Sequence, residues 1–283
     1  MKPFLKWVGG KTQILDQVIE SFPTEIFNYH EPFLGGGSVL FALLVKVSSG
    51  KIKLTGKIYC SDINTRLINV YKVVQRSPEQ FIKEIEQLLS NFNEPGNNRE
   101  EFYYLIRNQF NEFNENSIKM AAMFVFLNKT CFRGMYRENS KGAFNVPYGN
   151  YKNPIIVEPG HIMEVSKIIT SVLFTAEPFE NSLTRPVIGD FVYLDPPYAP
   201  EKTESFVAYN STGFGHEQHI LLFEIVKGFE PRGVYFVMSN SNTQTVKTAF
   251  EKNEFHLKTI LCKRSINSKN PGALTVELLI KPK

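Results

Sequence analysis

The sequence predicts an α/β protein built on an open, mostly parallel sheet, with a mostly helical insertion in its middle. Three observations lead there. A short strand, a glycine turn, an apolar helix and a second strand ending in an acid follow one another between Tyr29 and Asp62. A later apolar run, Phe191-Val192-Tyr193-Leu194, stops abruptly at Asp195-Pro196-Pro197-Tyr198. Between them, from Thr65 onward, the apolar spacing turns helical and then gives way to a basic segment rich in Gly and Asn.

The elements follow in order. Phe4 to Gly10 is a short segment ending in Gly9-Gly10-Lys11, and Ile14, Leu15, Val18 and Ile19 then mark a helix. Tyr29-His30-Glu31-Pro32-Phe33 reads as a short strand feeding Gly35-Gly36-Gly37. Ser38 to Val47 is an apolar helix, and Lys57 to Asp62 a second strand. Leu67 to Val74, Pro78 to Leu89, Glu100 to Phe113 and Ile118 to Leu127 read as helices, with Asn91 to Asn98 as a polar connector. Strands are expected near 172–176, 191–194, 234–238, 257–262 and 274–280, and helices near 216–228 and 242–252. This divides the chain into a sheet domain, 1–64 with 161–283, and an inserted domain, 65–160.

A chain of 283 residues, 42% hydrophobic and 21% charged, suits one large domain or a core with a sizeable insertion. Net charge is +4, and residues 128–154 alone carry +4 through Lys129, Arg133, Arg137, Lys141 and Lys152 against Glu138. Lys263, Arg264 and Lys269 form a second basic run. Basic stretches interleaved with aromatics fit a polyanion. Three distant cysteines, Cys60, Cys131 and Cys262, form neither a metal-type pair nor a disulfide framework. The start carries no apolar signal region, and no apolar run approaches the ~20 residues that span a bilayer. An intracellular protein off the membrane is expected.

The chemistry concentrates at strand ends. Neither Pro196 nor Pro197 can donate an N–H, so the carbonyls there are free to accept from something else. With the Asp195 carboxylate and the Tyr198 ring, they suit a planar group carrying an amino substituent, such as a nucleobase. The glycines after Glu31 let a backbone pass close to a ligand. They form neither a dinucleotide fingerprint nor a P-loop, and Glu31 would repel a pyrophosphate. A cationic ligand matches better, and S-adenosylmethionine carries a sulfonium and an ammonium. Asp62, ending the next strand, is placed to accept from ribose hydroxyls. His216-Glu217-Gln218-His219 lacks the i, i+4 spacing of a zinc helix and reads as a surface helix terminus; no metal site is expected. Cys131 is expected to pack rather than react.

The chain resembles the Dam-type DNA adenine-N6 methyltransferases (D12 class, alpha group). The matching pieces are Phe4-Leu5-Lys6-Trp7-Val8-Gly9-Gly10-Lys11, Glu31-Pro32-Phe33 with its glycines, Ser61-Asp62-Ile63-Asn64 and Asp195-Pro196-Pro197-Tyr198-Ala199-Pro200. Phe144-Asn145-Val146-Pro147-Tyr148-Gly149, Ser239-Asn240-Ser241 and Arg264-Ser265-Ile266 extend the match in the same order through nearly the whole chain. The resemblance implies a Rossmann-like, class I S-adenosylmethionine-dependent methyltransferase sheet with an inserted, mostly helical DNA-recognition domain. The sheet domain would then bind cofactor and catalyse, and 65–160 would recognise the target. Trp7, Lys11, Asp62 and Asp195 are implied to line the cofactor site, with Glu31, Phe33, Gly35 and Gly37 beside them and Phe179 near the cofactor adenine. The product would be S-adenosylhomocysteine.

On this reading Asp195 and the Pro196 carbonyl accept the two hydrogens of adenine N6, Pro197 completes the turn, and Tyr198 stacks on the ring. Direct transfer needs no metal and no covalent enzyme intermediate. The adenine must leave the duplex to reach the site. Phe132 is placed to wedge into the stack, Arg137 to bond guanine O6 and N7, and Met135 and Pro147 to touch a thymine methyl. In Dam-type enzymes that read GATC, the positions matching Lys6, Phe132, Met135, Arg137, Pro147 and Tyr151 do this work. Here Arg133 stands where Asn is common, Met135 where Leu is common, and Asn150 where a basic residue is usual. GATC is the first expectation and a palindrome such as CATG the next. Methylation of RNA and a catalytically inactive DNA-binding protein are the alternatives. A monomer is expected; a cognate restriction endonuclease for the same site and solitary action both stay open in the sequence.

Overall fold

The computed structural model describes residues 1–113, 115–199, 214–251, 254–263 and 274–283. Pro200, Arg264-Ser265-Ile266 and Lys269, singled out above, lie outside the described residues. The elements run α1 (Leu15–Ile19), β1 (Glu25–Ile26), β2 (Tyr29–Glu31), α2 (Ser38–Ser48), β3 (Lys53–Leu54), β4 (Ile58–Asp62) and α3 (Thr65–Arg76). Then come α4 (Pro78–Asn93), α5 (Arg99–Glu112), α6 (Ile118–Thr130), α7 (Pro159–Ile168), β5 (Val172–Ala176) and α8 (Phe179–Ser182). The chain continues with β6 (Phe191–Leu194), α9 (His216–Lys227), β7 (Tyr235–Ser241), α10 (Gln244–Phe250), β8 (Phe255–Lys263) and β9 (Leu274–Pro282).

Among the described residues, seven strands form the main sheet in the order β5-β4-β2-β6-β7-β9-β8. The pairs β5/β4, β4/β2, β2/β6 and β6/β7 are parallel, while β9 runs antiparallel to both β7 and β8. All four residues of β6 are buried, which is why this central strand reads as an unbroken apolar run. Its alternate side chains serve two cores. Phe191 and Tyr193 join Val237 and Leu279 on one face, and Val192 and Leu194 join Phe236, Met238 and Ile280 on the other.

Helix α3 packs on β4, β5 and α6, and α7 packs on α3 and α4. The helices of 65–168 therefore share one apolar core with a face of the sheet. Helix α6 is buried nearly all round, from Met120 to Asn128, because it is the centre of the helical layer. Asn64, Asn98 and Ser117 cap α3, α5 and α6 by accepting main-chain N–H bonds, which sets where these helices begin. Helix α7 falls across the expected boundary at 160, and the two-residue pair β1/β3 is too short to leave a period in the sequence. No helix among the described residues is long and apolar enough to cross a membrane.

The connectivity creates a crevice at one end of the parallel strands. From β2 the chain steps outward through β4 to β5, then returns to the other side of β2 with β6. The carboxyl ends of β2 and β6 flank this reversal, the place where open α/β sheets hold ligands.

Candidate active site

The glycine turn after β2 is shaped from both sides. Asp62 Oδ2 accepts the Gly35 N–H at 3.0 Å, and its Oδ1 accepts the Asn64 N–H at 2.9 Å. Tyr71 donates its hydroxyl to the Gly35 carbonyl at 2.9 Å. A Cβ on Gly35 would stand 2.7 Å from Trp7 Cδ1, and one on Gly37, where φ is +69°, 2.8 Å from the Tyr71 hydroxyl. The glycines are thus needed for Trp7 and Tyr71 to lie against the turn. Trp7 is half-buried and stacks on Tyr136, in the segment after α6, and on Phe124 of α6, with ring centres 5.7 and 6.4 Å away. Beyond the turn, Phe33 and Phe179 lie with ring centres 5.5 Å apart, and Phe214 packs on both.

At the end of β6, Asp195 pairs with Lys11 at 2.6 Å; Lys11 is 4% exposed and Asp195 20%. The Lys11 ammonium also donates to the Gly9 carbonyl and lies 4.7 Å from the centre of the Tyr198 ring. Tyr198 donates its hydroxyl to Glu277 on β9. The loop is held beyond the tetrad as well: Asn240 Oδ1 accepts the Ala199 N–H, and Ser241 donates to the Ala199 carbonyl. On the far side, His219 of α9 contacts the Pro197 carbonyl at 3.0 Å through Nε2.

The basic segment folds into a hairpin-like excursion after α6. Isolated bridges join Cys131 to Tyr148 and Glu138 to Phe144, and Asn139 closes the tip by accepting the Lys141 and Ala143 N–H groups. Phe132, Arg133, Arg137 and Pro147 are exposed, and Met135 and Tyr151 are half-buried. Arg137 donates Nε–H to Asn145 Oδ1 at 2.7 Å, which aims its guanidinium. Lys6 reaches this excursion from the N-terminal segment: its ammonium lies 4.5 Å from the centre of the Tyr151 ring. Asn128 clasps the Lys6 main chain, accepting its N–H at 2.9 Å and donating to its carbonyl at 2.7 Å. Arg133 and Asn150 have left-handed backbones, with φ of 55° and 50°.

Comparison with known proteins decides the family. The family described as D12 class N6 adenine-specific DNA methyltransferase matches residues 7–266. The chain belongs to this family. It is 42% identical over 280 residues to the type II methyltransferase M.MjaIII of Methanocaldococcus jannaschii, covering 95% of this chain and 94% of that protein. It is 33% identical over 264 residues to M1.LlaDCHI, a type II methyltransferase of Lactococcus lactis subsp. cremoris, covering 90% and 87%. Against the DNA adenine methylase of Escherichia coli K12 it is 31% identical over 280 residues, covering 99% and 94%. The protein is thus an adenine-specific DNA methyltransferase that uses S-adenosylmethionine.

The electrostatics of this methyltransferase suit a cationic cofactor. Glu31 is 3% exposed, and burial pushes its carboxyl up to about 8; the bond from Tyr29 pulls it down and Asp195 pushes it up. Burial lifts Asp195 to about 6, with Lys11 opposing and Glu277 assisting. Asp62 is also raised by burial, against N–H bonds that favour its charged form. A cleft with three strained acids and a glycine cradle fits a ligand that brings positive charge. Asp62 already serves the turn, but each carboxylate oxygen has a second lone pair for a hydroxyl.

Several residues that hold these groups in place carried no assignment in the sequence. Glu277 comes in from β9, Asn128 and Asn145 orient Lys6 and Arg137, and Ser241 fixes the loop. His219 is a partial correction: the motif does open helix α9 and His216 is exposed, but His219 is 1% exposed and contacts the Pro197 carbonyl instead of facing solvent. Its signal was spacing, since His219, Leu222, Phe223 and Val226 fall on one buried face of α9. Cys131 is buried, with its thiol pushed up to about 12.

Proposed function

We propose that this methyltransferase acts on an adenine swung out of a short palindromic duplex site, GATC by first reading and CATG next. The observation that carries it is the tetrad itself: Asp195 to Tyr198 stand at the carboxyl end of β6, beside the glycine turn of β2 and paired with Lys11. Adenine N6 is a poor nucleophile because its lone pair is delocalised into the ring. Asp195 accepts one N6 hydrogen and the Pro196 carbonyl the other, which favours the geometry with the lone pair directed outward. Pro197 completes the turn and Tyr198 holds the ring by stacking. Positioning and fixed charges supply the acceleration. Bound S-adenosylmethionine supplies the electrophilic methyl group. Trp7, Lys11, Glu31, Phe33, Gly35, Gly37, Asp62, Phe179 and Asp195 are the residues that would hold it.

Lys6, Phe132, Met135, Arg137, Pro147 and Tyr151 support the GATC reading as the matched recognition positions. The second reading rests on Arg133. It keeps a left-handed backbone at a position where Asn, which tolerates that conformation, is common in the family. Strain held at a DNA-facing hairpin favours a contact of its own. The type II names of two relatives suggest a partner endonuclease, and we read the enzyme as a monomer working wherever the cell keeps its DNA.

The test is incubation with labelled S-adenosylmethionine and duplexes carrying GATC or CATG, beside an RNA of the same sequence, followed by sequencing of the modified motif. Label in neither duplex overturns the reading. Asp195→Ala is expected to abolish transfer and keep much of the DNA affinity, because phosphate contacts dominate binding. Loss of both in a folded variant would count against the role given to Asp195.

A further inference from the structure

A buried histidine bridges α9 and the tetrad, and the reaction as described leaves it without a task. His219 is 1% exposed, on the same face as Leu222, Phe223 and Val226. A leucine would satisfy that apolar face; an imidazole there must find partners for both ring nitrogens. Nδ1 faces the Gly215 carbonyl at 2.8 Å, and Nε2 faces the Pro197 carbonyl at 3.0 Å. The Gly215 carbonyl also receives the His219 main-chain N–H, the first turn of the helix. A neutral imidazole has one N–H for these two carbonyls; because the Gly215 carbonyl already receives the His219 main-chain N–H, we assign the ring proton to Nε2, where it serves the Pro197 carbonyl. The ring is wedged edge-on against Phe214, 4.7 Å between centres, and Phe223 closes its other side at 5.9 Å. It cannot rotate without disturbing both.

The chemical consequence follows from the prolines. Asp195-Pro196-Pro197 presents successive carbonyls and no proline N–H, so nothing within the loop itself decides which carbonyl meets the base. Ser241 occupies the Ala199 carbonyl, and His219 occupies that of Pro197. We propose that His219 is a positioning residue: by holding the Pro197 carbonyl it fixes the loop so that the Pro196 carbonyl and the Asp195 carboxylate remain the pair offered to adenine N6. The inference rests on the tetrad reading given above. Its effect belongs to the rate of transfer rather than to the binding of cofactor or DNA.

Two substitutions separate the nitrogens. The amide of Gln reaches as far as Nε2, and that of Asn only as far as Nδ1. His219→Gln keeps a donor for Pro197, His219→Asn keeps one only for Gly215, and His219→Phe fills the space with neither. Single-turnover transfer is measured on duplex DNA, with melting temperature, S-adenosylmethionine affinity and DNA affinity recorded for each variant. A loop displaced from its reacting geometry costs on the order of 10- to 100-fold in rate. That loss is expected for Asn and Phe, with both affinities within about threefold of wild type, and Gln is expected to recover most of it. Should Phe fail to fold, Gln against Asn carries the test. Equal rates for Gln and Asn, or a loss confined to affinity, would overturn the inference. Asp195→Ala is run alongside: if it retains transfer, the tetrad reading fails and this inference with it. An Asp195-dependent enzyme indifferent to His219 refutes this inference alone.

Discussion

With Glu31 beside the cofactor as proposed above, cofactor binding should draw a proton from the Glu31 carboxyl. Its carboxyl, ordinarily near 4.5, sits at about 8 because it is buried at the end of β2 with Asp195 nearby. At pH 7 only about one molecule in ten carries Glu31 ionised, and at pH 6 about one in a hundred. A ligand bearing a sulfonium and an ammonium prefers the ionised form. Its affinity should therefore rise about tenfold per pH unit from 6 toward 8 and flatten above. The sign also runs through stability. Between 4.5 and about 8 the folded protein holds this proton and the unfolded chain does not, so Glu31's contribution falls as pH rises through that window. Titration calorimetry at pH 7 in two buffers of unlike ionisation heat should show about 0.9 proton released by Glu31 per cofactor bound. Glu31→Gln keeps an acceptor for Tyr29 but cannot titrate. The difference between wild type and this variant removes any contribution from the cofactor's own amino group. Identical pH slopes in the two proteins would refute the reasoning.

Three further outcomes follow from particular contacts. Gly37→Ala places a methyl group 2.8 Å from the Tyr71 hydroxyl at a φ of +69°, so it should lose at least ~1–2 kcal/mol in urea melts; an unchanged midpoint would show that the turn relaxes freely. Arg133→Asn relieves a left-handed arginine and should gain ~1 kcal/mol of stability while altering the methylated motif or weakening DNA binding. Stability without any change at DNA would leave Arg133 no role there. Arg137→Ala should relax preference at one base pair by ~1–3 kcal/mol, read from methylation rates on singly substituted duplexes; uniform weakening would make it a phosphate contact.

What could be read in the sequence was what is local. Strand β6 is buried on both faces, so its apolar run is continuous and its end at the prolines is abrupt. The glycine turn was legible because three adjacent glycines follow a strand. Glu277 was not, because it reaches Tyr198 only through the insertion of β9 between β7 and β8, which places it opposite Ser241. No spacing in the chain encodes that neighbour. Helix α7 was legible in principle, since Pro159 opens it and Ile162, Val165 and Ile169 repeat on one buried face. Asp62 shows a different limit: the sequence marked an acid at a strand end, and the geometry shows that acid already engaged by two main-chain N–H groups.

The N-terminal segment ties the basic hairpin to the end of β6 more closely than a division into two domains suggests. Lys6 lies over Tyr151 and is clasped by Asn128 of α6. Its neighbour Trp7 is wedged between the glycine turn and the rings of Tyr136 and Phe124. Four residues on, Lys11 is paired with Asp195 and braced on the Gly9 carbonyl. A shift of Lys6 is therefore resisted at Trp7, and cannot be absorbed there without moving the turn or the helical layer, because close-packed rings leave no slack. Lys11, in turn, holds the Asp195 carboxylate that is proposed above to receive the adenine amino group. The same short stretch thus touches the basic hairpin, the glycine turn and Asp195, the three places to which DNA reading, cofactor binding and base holding are assigned in the proposal above. Such contact is connectivity rather than proof of coupling. Its measure is a double-mutant cycle between Asn128 and Asp195-facing Lys11: Asn128→Ala and Lys11→Ala should be non-additive in transfer rate if the segment moves as one piece, and additive if Trp7 isolates its two ends.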